Sequence, residues 1–203
     1  MPIYAGTDLN HSGRCHTRES YRGWALSMYD QGADGLNVFN FPCWTEYLGD
    51  QPYDWVADLD EPAKLVGEPA LYTLVTGMHR VGSVDQSTPL PLTVKASASA
   101  ERALRLPRAA VPASRAMLLV ASNVEVRVSV NGVGLSRCRS APSGNLFLPF
   151  LNADLIRREP PAPHCRVYPF APGVLKAGAN VCRFASAGTS DATVQRVDLG
   201  LWY

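Results

Sequence analysis

The stretch YRGWALSMYDQGADGLNVFNFPCW, residues 21–44, contains in order a predicted helix, a stop, a strand and a polar segment. Its apolar side chains recur at spacings of three and four, as on a helix with one buried face: Tyr21, Trp24, Ala25, Met28 and Tyr29. Thr17 is the predicted N-cap. Gly32 is the predicted end, because glycine adopts the left-handed conformation that closes a final turn. Residues 36–41 then form a strand that Pro42 ends. The stretch therefore predicts an αβ unit.

Two segments resemble the end of a TIM-barrel domain. The motif GADG at residues 32–35, followed by Leu36 and by FNF at residues 39–41, is similar to the last helix and eighth strand of glycoside-hydrolase-like bacterial proteins. Residues 2–6, PIYAG, resemble the seventh strand. The resemblance implies a sugar-processing barrel whose first six strands are not in this sequence. A TIM barrel needs about 250 residues. We therefore expect the chain to be the C-terminal part of a longer protein; the alternative is a short protein that buries its open edge elsewhere.

The resemblance also implies a site. Loops that follow the strands of a TIM barrel build its active-site face, and residues 7–14, TDLNHSGR, form such a loop. Asp8 is the acid that matches a catalytic carboxylate at the end of the seventh strand, where glutamate is usual. Asn10 and His11 are candidate substrate-binding residues beside it. The alternative is that Asp8 and Asn10 bond to their own backbone in a turn.

Asn40 and Trp44 are the candidates after the eighth strand. Alternation puts Asn40 on the same side as Leu36 and Val38. If that side is the barrel interior, its amide would face a sugar hydroxyl, and Trp44 would offer a ring for stacking. The alternative is that Asn40 caps the following loop and Trp44 covers the barrel rim. Glu46 and Asp50 lie farther along, and solvated loop acids are the expected reading of both.

The second half of the chain shows a different periodicity. Residues 82–91, GSVDQSTPLP, are a predicted linker, and short alternating strands follow it. The run at 124–130, VEVRVSV, precedes Asn131-Gly132, a strong hairpin signal. The VNG hairpin and the LKAGAN turn at 175–180 resemble those of galactose-binding-like jelly-roll domains. We therefore predict a mixed fold: residues 1–82 as an αβ remnant of a TIM barrel, and residues 83–203 as an antiparallel, jelly-roll-like β-sandwich.

The composition of the chain limits the classes of binding partner that are expected. The chain has 203 residues and a net charge of +1, so total charge gives no case for nucleic acid or a membrane surface, and neutral carbohydrate is the expected partner. No apolar run has the length of a membrane span, and the compartment stays open. The five cysteines show no metal or disulfide spacing. Zinc at Cys15, His16 and His11 is the alternative to buried thiols, and no metal or cofactor is expected. The exposed barrel edge predicts self-association.

Two functions of different classes follow. Glycoside cleavage needs two carboxyl groups, and this chain offers at best Asp8, so its status as an enzyme stays open and catalysis by the chain alone is not expected. The first hypothesis is a C-terminal fragment of a glycoside-hydrolase-like protein. The alternative is a non-catalytic carbohydrate-binding or interaction module centred on the β-sandwich.

Overall fold

A computed structural model describes residues 1–8, 18–39, 56–74, 90–110, 113–137, 139–140 and 164–203. The N-terminal part is a βαβ unit of β1 (Tyr4–Asp8), α1 (Arg18–Asp30) and β2 (Gly35–Phe39). The two strands are parallel, and their register runs from Tyr4 with Gly35 to Asp8 with Phe39. The predicted order of strand, helix and strand is confirmed. In the described residues these two strands pair only with each other, so a barrel is not seen there.

The helix forms where its apolar stripe predicts it. Tyr21, Ala25 and Leu26 are buried and form a small core with Leu59 and Leu65. Gly32 has a φ of +94°, and its backbone N–H donates to the Tyr29 carbonyl. That conformation favours glycine, which explains why the helix ends there. A four-residue helix, α2 (Pro62–Leu65), follows. Within the described part of the chain, neither helix is long and apolar enough to cross a membrane.

The rest of the described chain is mainly antiparallel sheet. Its strands are β3 (Ala70–Leu74), β4 (Leu92–Val94), β5 (Ser99–Leu106), β6 (Arg115–Ser122), β7 (Val126–Val130), β8 (Val133–Gly134), β9 (Arg139–Ser140), β10 (His164–Phe170), β11 (Gly178–Ser186) and β12 (Ala192–Trp202). Short 3-10 helices occupy Arg108–Ala110 and Pro172–Val174. One sheet has the order β3-β12-β6-β10-β9, with β4 also on β12, and the other has the order β5-β11-β7-β8.

The two sheets enclose one apolar core. Leu118, Leu199 and Tyr168 enter it from the six-stranded sheet, and Val128 and Phe184 enter it from the four-stranded sheet. Along β7 and β11 buried and exposed residues alternate, as expected for strands with one solvent face. The predicted β-sandwich is confirmed.

The predicted hairpin is also confirmed. It joins β7 to β8, and its turn residues Asn131 and Gly132 have φ angles of +47° and +84°. Asparagine and glycine tolerate this left-handed region better than other residues. Asn131 then ties the turn to the second motif, because its amide group donates to Asn180 Oδ1 at 2.8 Å.

Strand β3 joins the sandwich although it precedes the predicted linker. It pairs with β12, with Ala70 opposite Leu201 and Leu74 opposite Val197. The sandwich therefore includes a strand from the segment that the sequence assigned to the N-terminal domain. The predicted division at residues 82 and 83 lies outside the described residues and stays a prediction.

Helix α1 rests directly on β3. A Cβ atom added to Gly23 would lie 2.2 Å from the Leu71 carbonyl oxygen, so only a glycine permits this approach. Arg22 reinforces the contact, since its guanidinium lies 3.1 Å from the Glu68 carboxylate and donates to the Pro69 carbonyl at 3.4 Å. The βαβ unit is thereby held against the sandwich.

Candidate functional site

The carboxyl ends of β1 and β2 form one edge. Asp8 and Phe39 are the last residues of their strands and are paired with each other. Because the strands are parallel, the chain leaves both of them in the same direction and at the same edge. Ligands of α/β sheets bind outside the carboxyl ends of the strands. This edge is therefore the candidate site.

The structure places only part of the predicted site. The backbone of Asp8 lies at this edge, as the last residue of β1. Its side chain lies outside what the structure describes, as do four whole residues: Asn10, His11, Asn40 and Trp44. The roles proposed for them stay predictions, and the same holds for Glu46 and Asp50.

The two faces of β2 are clearly distinguished. Leu36 and Val38 pack against the small core that α1 forms with Leu59 and Leu65. Their side is therefore the helix side. The role suggested for Asn40 was conditional on the side of Leu36 and Val38 being a barrel interior, and in the described residues that side meets the helix instead. Alternation shows which residues share a face but not which face meets the helix.

Asn37 was missed by the sequence analysis. It lies between Leu36 and Val38 in β2, is exposed, and pairs with Gly6. The space beside it is open, because a Cβ atom added to Gly6 would meet only the Asn37 carbonyl oxygen, at 3.9 Å. An asparagine amide both donates and accepts hydrogen bonds, so it suits sugar hydroxyls. A polar residue between two apolar strand residues was the available signal.

A cavity of about 420 Å³ lies on the helix side of the unit. Its lining includes Tyr4, Gly35 and Asp34, which lie at the amino ends of the strands, opposite the candidate edge. Two of its polar groups already hold the fold together. The Tyr29 hydroxyl donates to the Leu59 carbonyl at 2.8 Å, and Asp34 accepts a hydrogen bond from the Ile3 backbone at 2.7 Å. Burial, and then the charge of Asp60, raises the pKa of Tyr29.

A second polar cluster lies on the outer face of the six-stranded sheet. The Arg196 side chain donates to the Asp198 carboxylate, which is fully buried. Cys165 lies in the same row, because Cys165 and Arg196 both pair with Ala121. Burial raises the pKa of the Cys165 thiol, and the positive charge of Arg196 opposes this effect. The charge of the buried Asp198 carboxylate is compensated within the sheet by Arg196, so the cluster fits a structural role.

The described residues contain no group of three His, Cys, Asp or Glu side chains arranged to hold a metal ion. The candidate ligands Cys15, His16 and His11 lie outside those residues.

Comparison with known proteins assigns no family. No family model matches the chain, and no curated protein matches it. Among solved structures it is similar to a beta-porphyranase of glycoside hydrolase family 86 from the human gut bacterium Bacteroides plebeius. The identity is 15%, the TM-score is 0.36, and the match covers 54% of this chain and 18% of that protein. The chain thus spans less than a fifth of that protein, and a likeness of this size assigns it neither a family nor an activity.

Proposed function

We propose that this chain is the C-terminal part of a glycoside-hydrolase-like protein acting on carbohydrate, in which β1 and β2 are the last strands of a TIM barrel. The supporting observation is a parallel strand pair with one uncovered face. Gly6 and Asn37 on that face are exposed, whereas parallel sheets are ordinarily covered on both faces. Further parallel strands would supply the missing cover and close the sheet.

The sugar site in this proposal lies at the carboxyl edge of β1 and β2. Asp8 is one of the two carboxyl groups that glycoside cleavage requires, and the second comes from a strand outside this chain. Asn10, His11 and Trp44 contact the sugar from the loops after the strands, and Asn37 contributes from the uncovered face. Asn40 remains a candidate as the first residue after β2.

In this proposal the β-sandwich is a domain attached to the barrel. We assign it to the galactose-binding-like class of β-sandwiches. The resemblance to that class rests on the VNG hairpin and the LKAGAN turn. Contacts in the structure support it: Asn180 Oδ1 accepts from Asn131 and from the Lys176 backbone, while its amide donates to the Lys176 and Gly178 carbonyls. The two motifs therefore work as one unit.

The experiment compares this chain with the protein encoded when the upstream coding sequence is included. We expect the extended protein to release reducing sugar from at least one of a panel of neutral polysaccharides, and the 203-residue chain to release none. Asp8→Asn should lower the activity of the extended protein at least a hundredfold, whereas Asp34→Asn, at the opposite end of the strands, should change it less than threefold. Full activity of Asp8→Asn would contradict the proposed site.

The uncovered strand pair also predicts that the isolated chain self-associates. Ile3 and Tyr4 are 62% and 66% exposed, and unpaired strand edges invite pairing between chains. In the proposal the isolated chain self-associates through this edge. Sedimentation velocity at increasing protein concentration measures it, and a strictly monomeric chain up to millimolar concentration would count against an open edge.

The second candidate function is a non-catalytic carbohydrate-binding module centred on the sandwich. The observation that favours it is the outer face of the four-stranded sheet, which is exposed and carries arginines without an ion-pair partner among the described residues.

A further inference from the structure

The net charge of +1 conceals two oppositely charged segments. Residues 1–82 contain 11 acidic and 5 basic residues, whereas residues 83–203 contain 7 acidic and 14 basic residues. An interaction surface with a charge preference is therefore to be sought on the sandwich. Its four-stranded sheet has a solvent face large enough to serve as one.

Three arginines cross this face on a diagonal. Arg105 on β5, Arg183 on β11 and Arg127 on β7 are all exposed, and their neighbours along each strand point into the core. Arg105 pairs with Ala179, which precedes Arg183 by four residues, or about 13 Å along a strand. Arg127 pairs with Ala185, two residues or about 7 Å beyond Arg183. The stripe therefore spans about 20 Å along the strands.

The guanidinium groups of this stripe are available. None of the three forms an ion pair with a described residue, whereas Arg137 nearby is paired with Glu125. Arg183 is also oriented, since its Nε donates to Ser99 Oγ at 2.9 Å and its two terminal nitrogens are left for a ligand. Glu101 on β5 lies directly opposite Arg183 and partly offsets the positive charge.

The surface between Arg105 and Arg183 is made of small side chains. Ala103, Ala179 and Val181 lie between Arg105 and Arg183, and Val181 is 38% exposed. Small residues let an extended chain approach the sheet closely while the arginines meet its anionic groups. A guanidinium group matches the geometry of carboxylate and of other planar or tetrahedral oxyanions with two hydrogen bonds.

We propose that the outer face of the four-stranded sheet binds an acidic polysaccharide along the stripe Arg105, Arg183 and Arg127. A single-stranded nucleic acid fits less well, because no aromatic residue occupies the outward positions of β5, β7 and β11 for base stacking. The proposal does not rest on the sugar site at the strand edge, since a different surface of the chain carries it.

The test is calorimetric titration of the 203-residue chain with two matched pairs of polymers. Dextran sulfate is compared with dextran, and polygalacturonate with its fully methyl-esterified form, so that sulfate and carboxylate are distinguished and the neutral polymer is the control in each pair. We expect binding to at least one acidic polymer and none to its neutral counterpart. The affinity should fall steeply with salt, as for other polyanions.

Two triple variants separate the stripe from general charge. Arg105→Gln, Arg127→Gln and Arg183→Gln together should lower the affinity at least tenfold. Lys95→Gln, Arg108→Gln and Arg115→Gln together remove the same charge away from this face and should lower it less than twofold. Glu101→Gln removes the opposing acid and should raise it about two- to threefold. Cooperative thermal unfolding with a midpoint well above the titration temperature establishes that each variant is folded. The control variant loses the Lys95–Asp191 ion pair and should therefore melt slightly below wild type.

Three outcomes would overturn the proposal. Equal weakening by the two triple variants would mean that binding depends on total charge only. Tighter binding of a 20-nucleotide single strand than of either acidic polymer would make nucleic acid the partner. Loss of self-association in the stripe variant, without any polysaccharide present, would mean that the face binds the acidic segment of a second copy.

Discussion

The βαβ unit and the sandwich differ in how completely the faces of their strands are buried. The sandwich closes its core between two sheets, and residues such as Phe184 and Leu199 are essentially inaccessible to solvent. The βαβ unit covers one face of its strands with a small core and leaves the other face open. We infer from this difference that the sandwich is stable by itself, whereas the βαβ unit depends for its stability on the contact of α1 with β3. In the proposed barrel the unit also depends on strands outside this chain.

The largest expected effect would break the sandwich itself. Phe184 is fully buried in its core, so Phe184→Ala should lower the free energy of unfolding by about 4 kcal/mol. Val181→Ala on the outer face of the same strand is the control, with an expected change below about 1 kcal/mol. Chemical denaturation measures both. A loss for Phe184→Ala no larger than for the control would contradict the burial described for this core.

The next effect concerns the two turn motifs. Asn180→Ala leaves the Lys176 backbone N–H without its acceptor and the Lys176 and Gly178 carbonyls without their donor. We expect a loss of about 3 kcal/mol. Asn123→Ala removes one exposed side-chain bond, to the Thr193 backbone, and should cost about 1 kcal/mol. Similar losses in the two variants would mean that Asn180 does not join the hairpin to the following turn.

A third variant tests whether the βαβ unit depends on the contact between α1 and β3 of the sandwich. In Gly23→Ala the new methyl group would lie 2.2 Å from the Leu71 carbonyl oxygen, so α1 must move away from β3 at a cost of about 2 kcal/mol. Faster hydrogen exchange should appear in α1 while β11 stays unchanged. Gly134→Ala, where a Cβ atom meets nothing within 4 Å, should alter neither element. Unchanged exchange in α1 would show that the helix is not seated on β3.

The smallest expected effect concerns the surface ion pair of Asp191 and Lys95, whose contribution to stability depends on pH. Asp191 accepts hydrogen bonds from the Lys95 side chain at 2.8 Å and from the Ala96 backbone at 2.9 Å, which lower its pKa from the ordinary 3.8. A carboxyl group whose pKa is lower in the folded state stabilises above its unfolded pKa, and this stabilisation is lost as pH falls through the folded pKa. Asp191→Asn should therefore lower the melting temperature slightly at pH 6, and the melting temperatures of wild type and variant should converge as pH falls through the lowered folded pKa of Asp191. A constant difference across this range would contradict the ion pair.

Local patterns predicted much of this fold. The 3.6-residue stripe around Tyr21, the glycine at residue 32 and the Asn131-Gly132 turn each depend on neighbours in the chain, and each appears where the sequence places it. The sandwich followed from alternation along β7. These features could be predicted because the residues that determine them lie within a few positions of one another.

Long-range features could not be predicted in the same way. The pairing of β3 with β12 joins residues more than a hundred positions apart. The sequence of neither strand indicates which strand it pairs with. The side on which Leu36 and Val38 lie could not be predicted for the same reason, because the face that meets the helix depends on tertiary packing. The arginine stripe was hidden for a related reason: Arg105, Arg127 and Arg183 come together only through strand register.

Hydrogen exchange followed by mass spectrometry tests the central claim most directly, with the chain first shown to be monomeric at the concentration used. The claim is that an open parallel unit rests on a closed sandwich. We predict exchange within minutes at Tyr4–Asp8 and Gly35–Phe39 and protection for hours at Arg115–Ser122 and Ala192–Trp202. Equal, long-lived protection of all four strands would contradict it, because β1 and β2 would then be as fully covered as the core of the sandwich.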